Sequence, residues 1–267
     1  MRFRVLTLNV WHDAGDPQRS ALINAELIRL RPDVVVLQEV CYPDQLPELL
    51  DGTGLEYAVH QADLIDLPDA TDGSALATCW PFEVAEVLDH RPTASAPEHW
   101  WTLAATIELP DVGPMLLIQP TTPWRLDQSA VRETQLLAVA DLDDRHGTPV
   151  PTVIAGDLNA TPDSAGLRFL TGLQSLAGRS TAYQDAWRIA GDGPGHTWTT
   201  NNPLARQEID HLLGQPTHHR RLDYILTAMP RAYRTRVLHA ALVGTDPILS
   251  DHYGVLADLS VEPSRLD

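Results

Sequence analysis

The stretch TVIAGDLN, residues 152–159, joins a short apolar run to two polar residues and is the most informative segment of the sequence. A continuous apolar run of this kind is typical of a strand that is buried on both faces. In extended chain, residues i and i+2 point to the same side, so Asp157 and Asn159 face one direction while Leu158 packs in the other. The segment therefore predicts polar groups presented together at a strand end.

Other predicted strands also carry polar residues at their ends. Asn9 closes the alternating run at residues 3–9, Glu39 follows the apolar run 34–37, and Asp251 precedes the run 254–259. Oxygen donors without paired Cys or His ligands suit a hard cation such as Mg²⁺ or Mn²⁺. The alternative is that each Asp or Asn caps a helix or forms a turn.

His252 lies directly after Asp251, and Asp223 begins the predicted strand at residues 222–226. Histidine titrates near neutral pH, so a histidine beside an acid is suited to proton transfer. A carboxylate that accepts from one ring nitrogen would fix the tautomer and raise the basicity of the other. A solvated loop histidine without a role is the alternative.

The order of predicted elements is mixed, which favours a layered α/β structure with more than one sheet. Periodicity predicts helices over residues 17–31, 43–51, 127–144, 163–170 and 182–190, and further strands at 57–60, 74–78, 103–109 and 114–119. Residues 191–220 are mostly polar and are expected to form a long surface loop. No internal repeat is present, so we expect residues 1–267 to form a single domain.

Five segments together resemble the endonuclease/exonuclease/phosphatase (DNase I-like) superfamily: LTLN at 6–9, VLQE at 36–39, AGDLN at 155–159, RLDYI at 221–225 and SDH at 250–252. The resemblance implies a four-layer αββα sandwich, in which two mixed β-sheets pack face to face with helices on the outside. It also implies Mg²⁺- or Mn²⁺-dependent hydrolysis of a phosphate ester, as in a phosphodiesterase, nuclease or phosphatase.

The resemblance further assigns roles to individual residues. Glu39 would bind the metal, with Asn9 and Asp251 nearby as ligands or supporting groups. Asp157 and Asn159 would orient the attacking water and the phosphate. His252, supported by Asp223, would act as general base or stabilise the phosphoryl oxygens.

One position departs from the family pattern, which usually carries a second histidine where this sequence has Thr121. A threonine hydroxyl donates one neutral hydrogen bond and carries no charge. The site could use Thr121 as a weaker donor, or borrow a group such as Arg125, His99 or His12. Alternatively, the leaving group of the substrate departs without help from a general acid. The protein could also be a degenerate family member that binds a phosphorylated ligand without turnover.

The 267-residue chain has a formal net charge of −17, which argues against strong binding of long DNA through its phosphates. A phosphorylated small molecule or a short nucleic acid remains compatible, and Trp124 and Arg125 are expected to contact it; protein partners are not predicted. The loops 61–73, 89–100 and 191–220 would determine which phosphate ester the protein accepts as substrate. The sequence has no 18-residue apolar run and no signal-peptide pattern, so we expect a cytoplasmic protein.

Overall fold

Two six-stranded mixed sheets form the centre of the structure, a computed structural model that describes residues 1–65, 72–90, 101–215 and 217–264. The strands are β1 (Arg2–Asn9), β2 (Val34–Cys41), β3 (Tyr57–His60), β4 (Asp72–Thr78), β5 (Phe82–Asp89), β6 (Trp101–Leu109), β7 (Gly113–Pro120), β8 (Val150–Asp157), β9 (Gln184–Asp185), β10 (Trp198–Thr199), β11 (His219–Arg220), β12 (Asp223–Thr227), β13 (Tyr233–Val243) and β14 (Gly254–Pro263). The helices are α1 (Arg19–Leu30), α2 (Gln45–Leu50), α3 (Ser129–His146), α4 (Ala165–Leu170), α5 (Ala186–Ala190) and α6 (Arg206–Leu213).

The first sheet has the strand order β13-β14-β1-β2-β4-β3, and the second has the order β5-β6-β7-β8-β12-β9. Side chains alternate across each strand, so Val5 and Val36 point into the core between the sheets while Leu6 and Leu37 point to the outside. Helices α1 and α2 cover the outer face of the first sheet, and α3 and α4 cover the outer face of the second. This confirms the predicted four-layer sandwich.

The strand register brings the predicted polar residues to one end of the sandwich. Strands β1 and β2 are parallel, so Asn9 and Glu39 leave the sheet at the same edge. Strand β12 is antiparallel to β8, which places Asp223 directly opposite Asp157. Strand β14 is antiparallel to β1 and begins at Gly254, where a Cβ atom would lie 2.8 Å from the Thr7 carbonyl. The segment that precedes β14 therefore enters beside the end of β1.

The expected helices are present, with ends that differ by a few residues, but the expected surface loop at 191–220 is wrong. This region contains β10, β11 and α6, and its polar residues Thr197 and Asn202 are fully buried. Thr197 accepts hydrogen bonds from the backbone of Leu222 and Asp223, so burial leaves its hydroxyl satisfied. The sequence also did not predict β5, β9 and β13, which all lie at sheet edges. Strands β5 and β13 contain a bulge that interrupts their alternation, and β9 is a two-residue strand within the segment 182–190 that was expected to be helical.

Two of the other expected loops are described only in part. Residues 61–73 contain a 3₁₀ turn at Gln61–Asp63 and the start of β4, while 66–71 lie outside the described residues. Residues 91–100, including His99, also lie outside them. None of the helices in the described ranges is both long and apolar enough to span a membrane.

Candidate active site

A crevice of about 210 Å³ opens at the end of the sandwich where the polar residues meet. It is lined by Trp11, His12, Glu39, Trp124, Leu126, Asp157, Asn159, Trp198, Glu208, Leu212, Arg220, Leu222, Asp251 and His252. An adjoining cavity of about 290 Å³ shares Glu39, Asp157 and Asn159 with it and adds Asn9 and Thr121. The structure therefore brings the distant strand ends together around one space.

Glu39 is held on both carboxylate oxygens. Asn9 donates from Nδ2 to Glu39 Oε1 at 2.9 Å and lies 3.5 Å from Asp157 Oδ2. His12 Nε2 lies 3.0 Å from Glu39 Oε2, and its Nδ1 lies 3.3 Å from Asp72 Oδ2. The hydrogen bond to Glu39 raises the pKa of His12. Burial alone would raise the pKa of Glu39, but the hydrogen bond and charge of His12 outweigh it and lower that pKa.

His252 and Asp223 form the second buried unit of the site. His252 Nδ1 donates to Asp223 Oδ2 at 2.9 Å and lies 4.0 Å from Asp157 Oδ2. Burial opposes the charged imidazolium, but the carboxylates of Asp223 and Asp157 raise the pKa of His252 well above its usual value. Burial, followed by the charge of Asp223, raises the pKa of Asp157 to about 7. His252 therefore lies between two acidic side chains whose charges favour its protonated form.

Asp251 is only 4% exposed and accepts a hydrogen bond from Ser250 Oγ at 3.0 Å. Burial raises its pKa to about 6, and Glu39 is one of its charged neighbours. Asn202 donates to the backbone carbonyls of Ser250 and Asp251 at 2.8 and 2.9 Å. This contact fixes the segment that carries both Asp251 and His252.

The donor chemistry of the crevice fits a hard divalent cation. Glu39, Asp157 and Asp251 place three carboxyl groups around one space, and burial raises the pKa values of the two aspartic acids. A divalent cation beside them would favour their charged forms. Ligand atoms of Asp157, Asp223 and His252 lie within 4.8 Å of one another, as metal ligands do. Glu39 and Asp251 lie outside that group of three. Asn9 directs its amide nitrogen at Glu39, which makes it a supporting group in this arrangement.

The family model described as "Endonuclease/Exonuclease/phosphatase family" matches residues 6–252, nearly the whole chain. The chain belongs to the endonuclease/exonuclease/phosphatase family. Members of this superfamily include nucleases and phosphodiesterases, and they depend on divalent metals. No curated protein sequence matches the chain.

Solved structures of the endonuclease/exonuclease/phosphatase family share the DNase I-like fold. The family member from Beutenbergia cavernae has 24% identity and a TM-score of 0.69, over 97% of this chain and 72% of that one. D. rerio TDP2, complexed with single strand DNA product, has 20% identity and a TM-score of 0.70, over 97% and 99%. The human Nocturnin catalytic domain, with a bound sulfate anion, has 20% identity and a TM-score of 0.67, over 98% and 94%.

Of the remaining predicted site residues, some line the crevice or the adjoining cavity and one does not. Thr121 lines the adjoining cavity, and its hydroxyl lies 3.0 Å from Ser74 Oγ. Asn159 lines both spaces, and its Nδ2 lies 3.2 Å from Asp157 Oδ2. Trp124 lines both spaces and is 45% exposed. Arg125 stacks over the Trp124 ring at 5.4 Å and does not line either space.

Sequence reasoning missed the polar and aromatic crevice residues Trp11, Glu208 and Arg220, and also the apolar Leu126 and Leu212. Glu208 lies on α6, where Ala205, just before the helix, and Ile209 within it recur at a spacing of four residues and are buried. That spacing is a helix signal that could have been found within the supposed loop. Trp11 belongs to an irregular turn with a positive φ, for which the sequence carries no comparable signal.

Proposed function

We propose that this protein is a Mg²⁺- or Mn²⁺-dependent hydrolase of phosphate esters, which acts in the crevice. The observation that carries this proposal is the convergence of Glu39, Asp157 and Asp251 beside the buried pair of His252 and Asp223. Four strand ends from two sheets supply these side chains. Turns and helix caps alone would not require them to share one space.

Glu39 and Asp251 are proposed to hold the cation, with Asn9 orienting Glu39 through its amide nitrogen. A bound divalent cation would neutralise charge on the phosphoryl oxygens. Binding of the cation would have to compete with His12, which lies 3.0 Å from Glu39 Oε2. We therefore expect His12 to change partner, or to share Glu39, when the cation binds.

Asp157 and Asn159 are proposed to hold the attacking water and the phosphate. With its pKa raised to about 7, Asp157 is suited to accept a proton from water near neutral pH. Because Asp223 fixes Nδ1 of His252, the other nitrogen of the imidazolium is free to donate to a phosphoryl oxygen. Most of the rate would come from positioning and electrostatics, as is usual in phosphoryl transfer.

The substrate is proposed to be a phosphorylated small molecule or a short nucleic acid. The net charge of −17 opposes strong binding to long DNA. The related D. rerio TDP2 is complexed with single strand DNA product, which supports a short single strand as one substrate class.

Hydrolysis of bis(p-nitrophenyl) phosphate with Mn²⁺ or Mg²⁺ tests the proposal. We expect metal-dependent turnover that Asp157→Ala reduces by at least about 10³-fold. Glu83→Gln is a suitable control, because Glu83 is exposed on the edge strand β5 and does not line the crevice. Glu39→Gln is expected to weaken Mn²⁺ binding measured by calorimetry. Equal activity in the wild type and Asp157→Ala would remove the enzymatic proposal at this site.

Thr121 favours a second candidate function, a family member that binds a phosphorylated ligand without turnover. Its neutral hydroxyl, engaged with Ser74, stands where the family usually has an imidazole. This function predicts that phosphate ligands bind in the presence of Mn²⁺ while no ester is hydrolysed above the Asp157→Ala background.

A further inference from the structure

Helix α6 forms one wall of the crevice through two residues one turn apart, Glu208 and Leu212. Its position is fixed by the fold. Asn202, near the start of the helix, donates to the carbonyls of Ser250 and Asp251, and Ile209, the residue after Glu208, is fully buried. The wall is therefore tied to the backbone that carries the proposed catalytic residues.

Glu208 presents its carboxyl group to the same crevice as the proposed metal ligands Glu39 and Asp251. Its charged neighbours are His252, Glu39 and Asp251. Within the described ranges, no Arg or His forms an ion pair with Glu208. Glu208 accepts a hydrogen bond from Trp198 and lies near His252, and it adds a third carboxyl group to the acidic side of the crevice formed by Glu39 and Asp251.

The arginine that lines the crevice does not balance this charge. Arg220 donates from Nε to His218 Nε2 at 2.7 Å, and Asp163 is its favourable charged neighbour. Arg220 also lines a neighbouring cavity on the side of α3 and α4. Its charge thus acts at a different part of the rim from that of Glu208.

Three apolar side chains of the crevice lining are exposed. Leu212 is 36% exposed, Leu126 is 39% exposed and Trp124 is 45% exposed, and all three line the crevice. Exposed apolar side chains that lie together mark a binding surface, because a ligand that covers them removes apolar area from water. A neutral apolar substituent on the substrate would pack against these side chains, whereas a second charged phosphate oxygen would not.

We propose that Glu208 is a specificity-determining residue, which makes the site select monoanionic phosphodiesters with a neutral apolar substituent over dianionic phosphomonoesters. The inference rests on the proposed function and refines it. A like charge opposes a dianion more strongly than a monoanion, while both esters use the same residues for chemistry. The second ester group of a diester also supplies the apolar surface that Leu212 and Trp124 can cover.

The test compares kcat/KM for bis(p-nitrophenyl) phosphate and for p-nitrophenyl phosphate, which share one leaving group and differ in charge at about pH 7.5. Wild type, Glu208→Gln, Glu208→Arg and the control Asp210→Asn are measured at fixed Mn²⁺ and ionic strength. Asp210 is exposed on the same helix and does not line the crevice, so its variant loses the same charge away from the site. Thermal melting checks that all four proteins fold.

We expect the wild type to prefer the diester. Glu208→Gln should raise the monoester-to-diester ratio of kcat/KM at least about threefold, mainly through KM, and Glu208→Arg should raise it further. Asp210→Asn should leave the ratio within about 1.5-fold, and added salt should reduce the wild-type discrimination. Turnover with an unchanged ratio in both Glu208 variants, or an equal change in Asp210→Asn, overturns this inference alone. Absence of metal-dependent turnover of both esters overturns the proposed function as well.

Discussion

Arg19 is a buried arginine, 4% exposed, whose guanidinium hydrogen bonds within the described ranges all go to backbone carbonyls. It donates at 2.7 to 3.0 Å to the carbonyls of Ala14, Val10, Leu249, Trp11 and His12. These carbonyls belong to the turn after β1 and to the segment before Ser250. One side chain thus joins the turn that carries Trp11 and His12 to the segment that carries Asp251 and His252.

We predict that Arg19→Met lowers the free energy of unfolding by about 3 kcal/mol. The carbonyls of Val10 and Leu249 are buried, and each loses its charged donor, at a cost of about 1–3 kcal/mol. The three other carbonyls are partly buried and can bond to water. Removing the desolvation cost of the guanidinium offsets part of the loss. Arg19→Lys should lie between, because an ammonium has three donors and no planar fork.

Urea unfolding followed by circular dichroism measures this change, with Arg29→Met as the control on the same helix. Arg29 forms an exposed ion pair with Glu26 on its own helix, so its loss should cost less than about 0.5 kcal/mol. Below the unfolding transition, Arg19→Met should also raise KM for the diester, since Trp11 and His12 lose their support. A loss under about 1 kcal/mol together with an unchanged KM would refute the assignment of Arg19 as the link between the two segments.

Three further substitutions test other parts of the molecule. Asp185→Ala removes a buried bidentate pair with Arg221, at 2.6 and 3.0 Å, and should cost about 3–5 kcal/mol in urea unfolding; a loss under about 1 kcal/mol would contradict this. Trp124→Ala should raise KM for the aryl diester about tenfold with kcat little changed, and a fall in kcat alone would refute a binding role. Thr121→His should raise kcat about tenfold or more by restoring a charged donor, while Thr121→Val should keep kcat within about twofold; loss of activity in Thr121→Val would show that the hydroxyl itself is needed.

The central strands and the convergence of polar strand ends could be predicted because burial on both faces leaves a continuous apolar run. Strands β2 and β8 show this pattern, and their ends carry Glu39 and Asp157. Edge strands lack it, since one side faces solvent and a bulge shifts the alternation, as between Val237 and His239 in β13. Periodicity therefore identifies the centre of each sheet better than its edges.

The region at 191–220 could not be predicted from composition because its buried residues are polar. Thr197 and Asn202 are fully buried through hydrogen bonds to backbone groups that are distant in sequence. A polar composition is the same whether the side chains hydrogen bond to water or to backbone groups elsewhere in the fold. Composition alone therefore cannot distinguish a solvated loop from a buried polar segment. For the same reason the composition predicts a solvated loop around Glu208, although Glu208 lies on a helix and lines the crevice.

Backbone geometry gives an independent indication of where the molecule is specialised. Of the seven described non-glycine residues with positive φ, four line the crevice: Trp11 at 58°, His12 at 49°, Glu39 at 57° and Asn159 at 46°. Such a conformation costs an L-residue about 1–2 kcal/mol and persists only where its surroundings fix it, as Arg19 does for the first two. Glycine would remove the cost at each position, but it would also remove the indole, imidazole, carboxylate or amide. The backbone strain is therefore concentrated at residues whose side chains line the crevice. An ordinary extended conformation at these strand ends would point the same side chains in other directions.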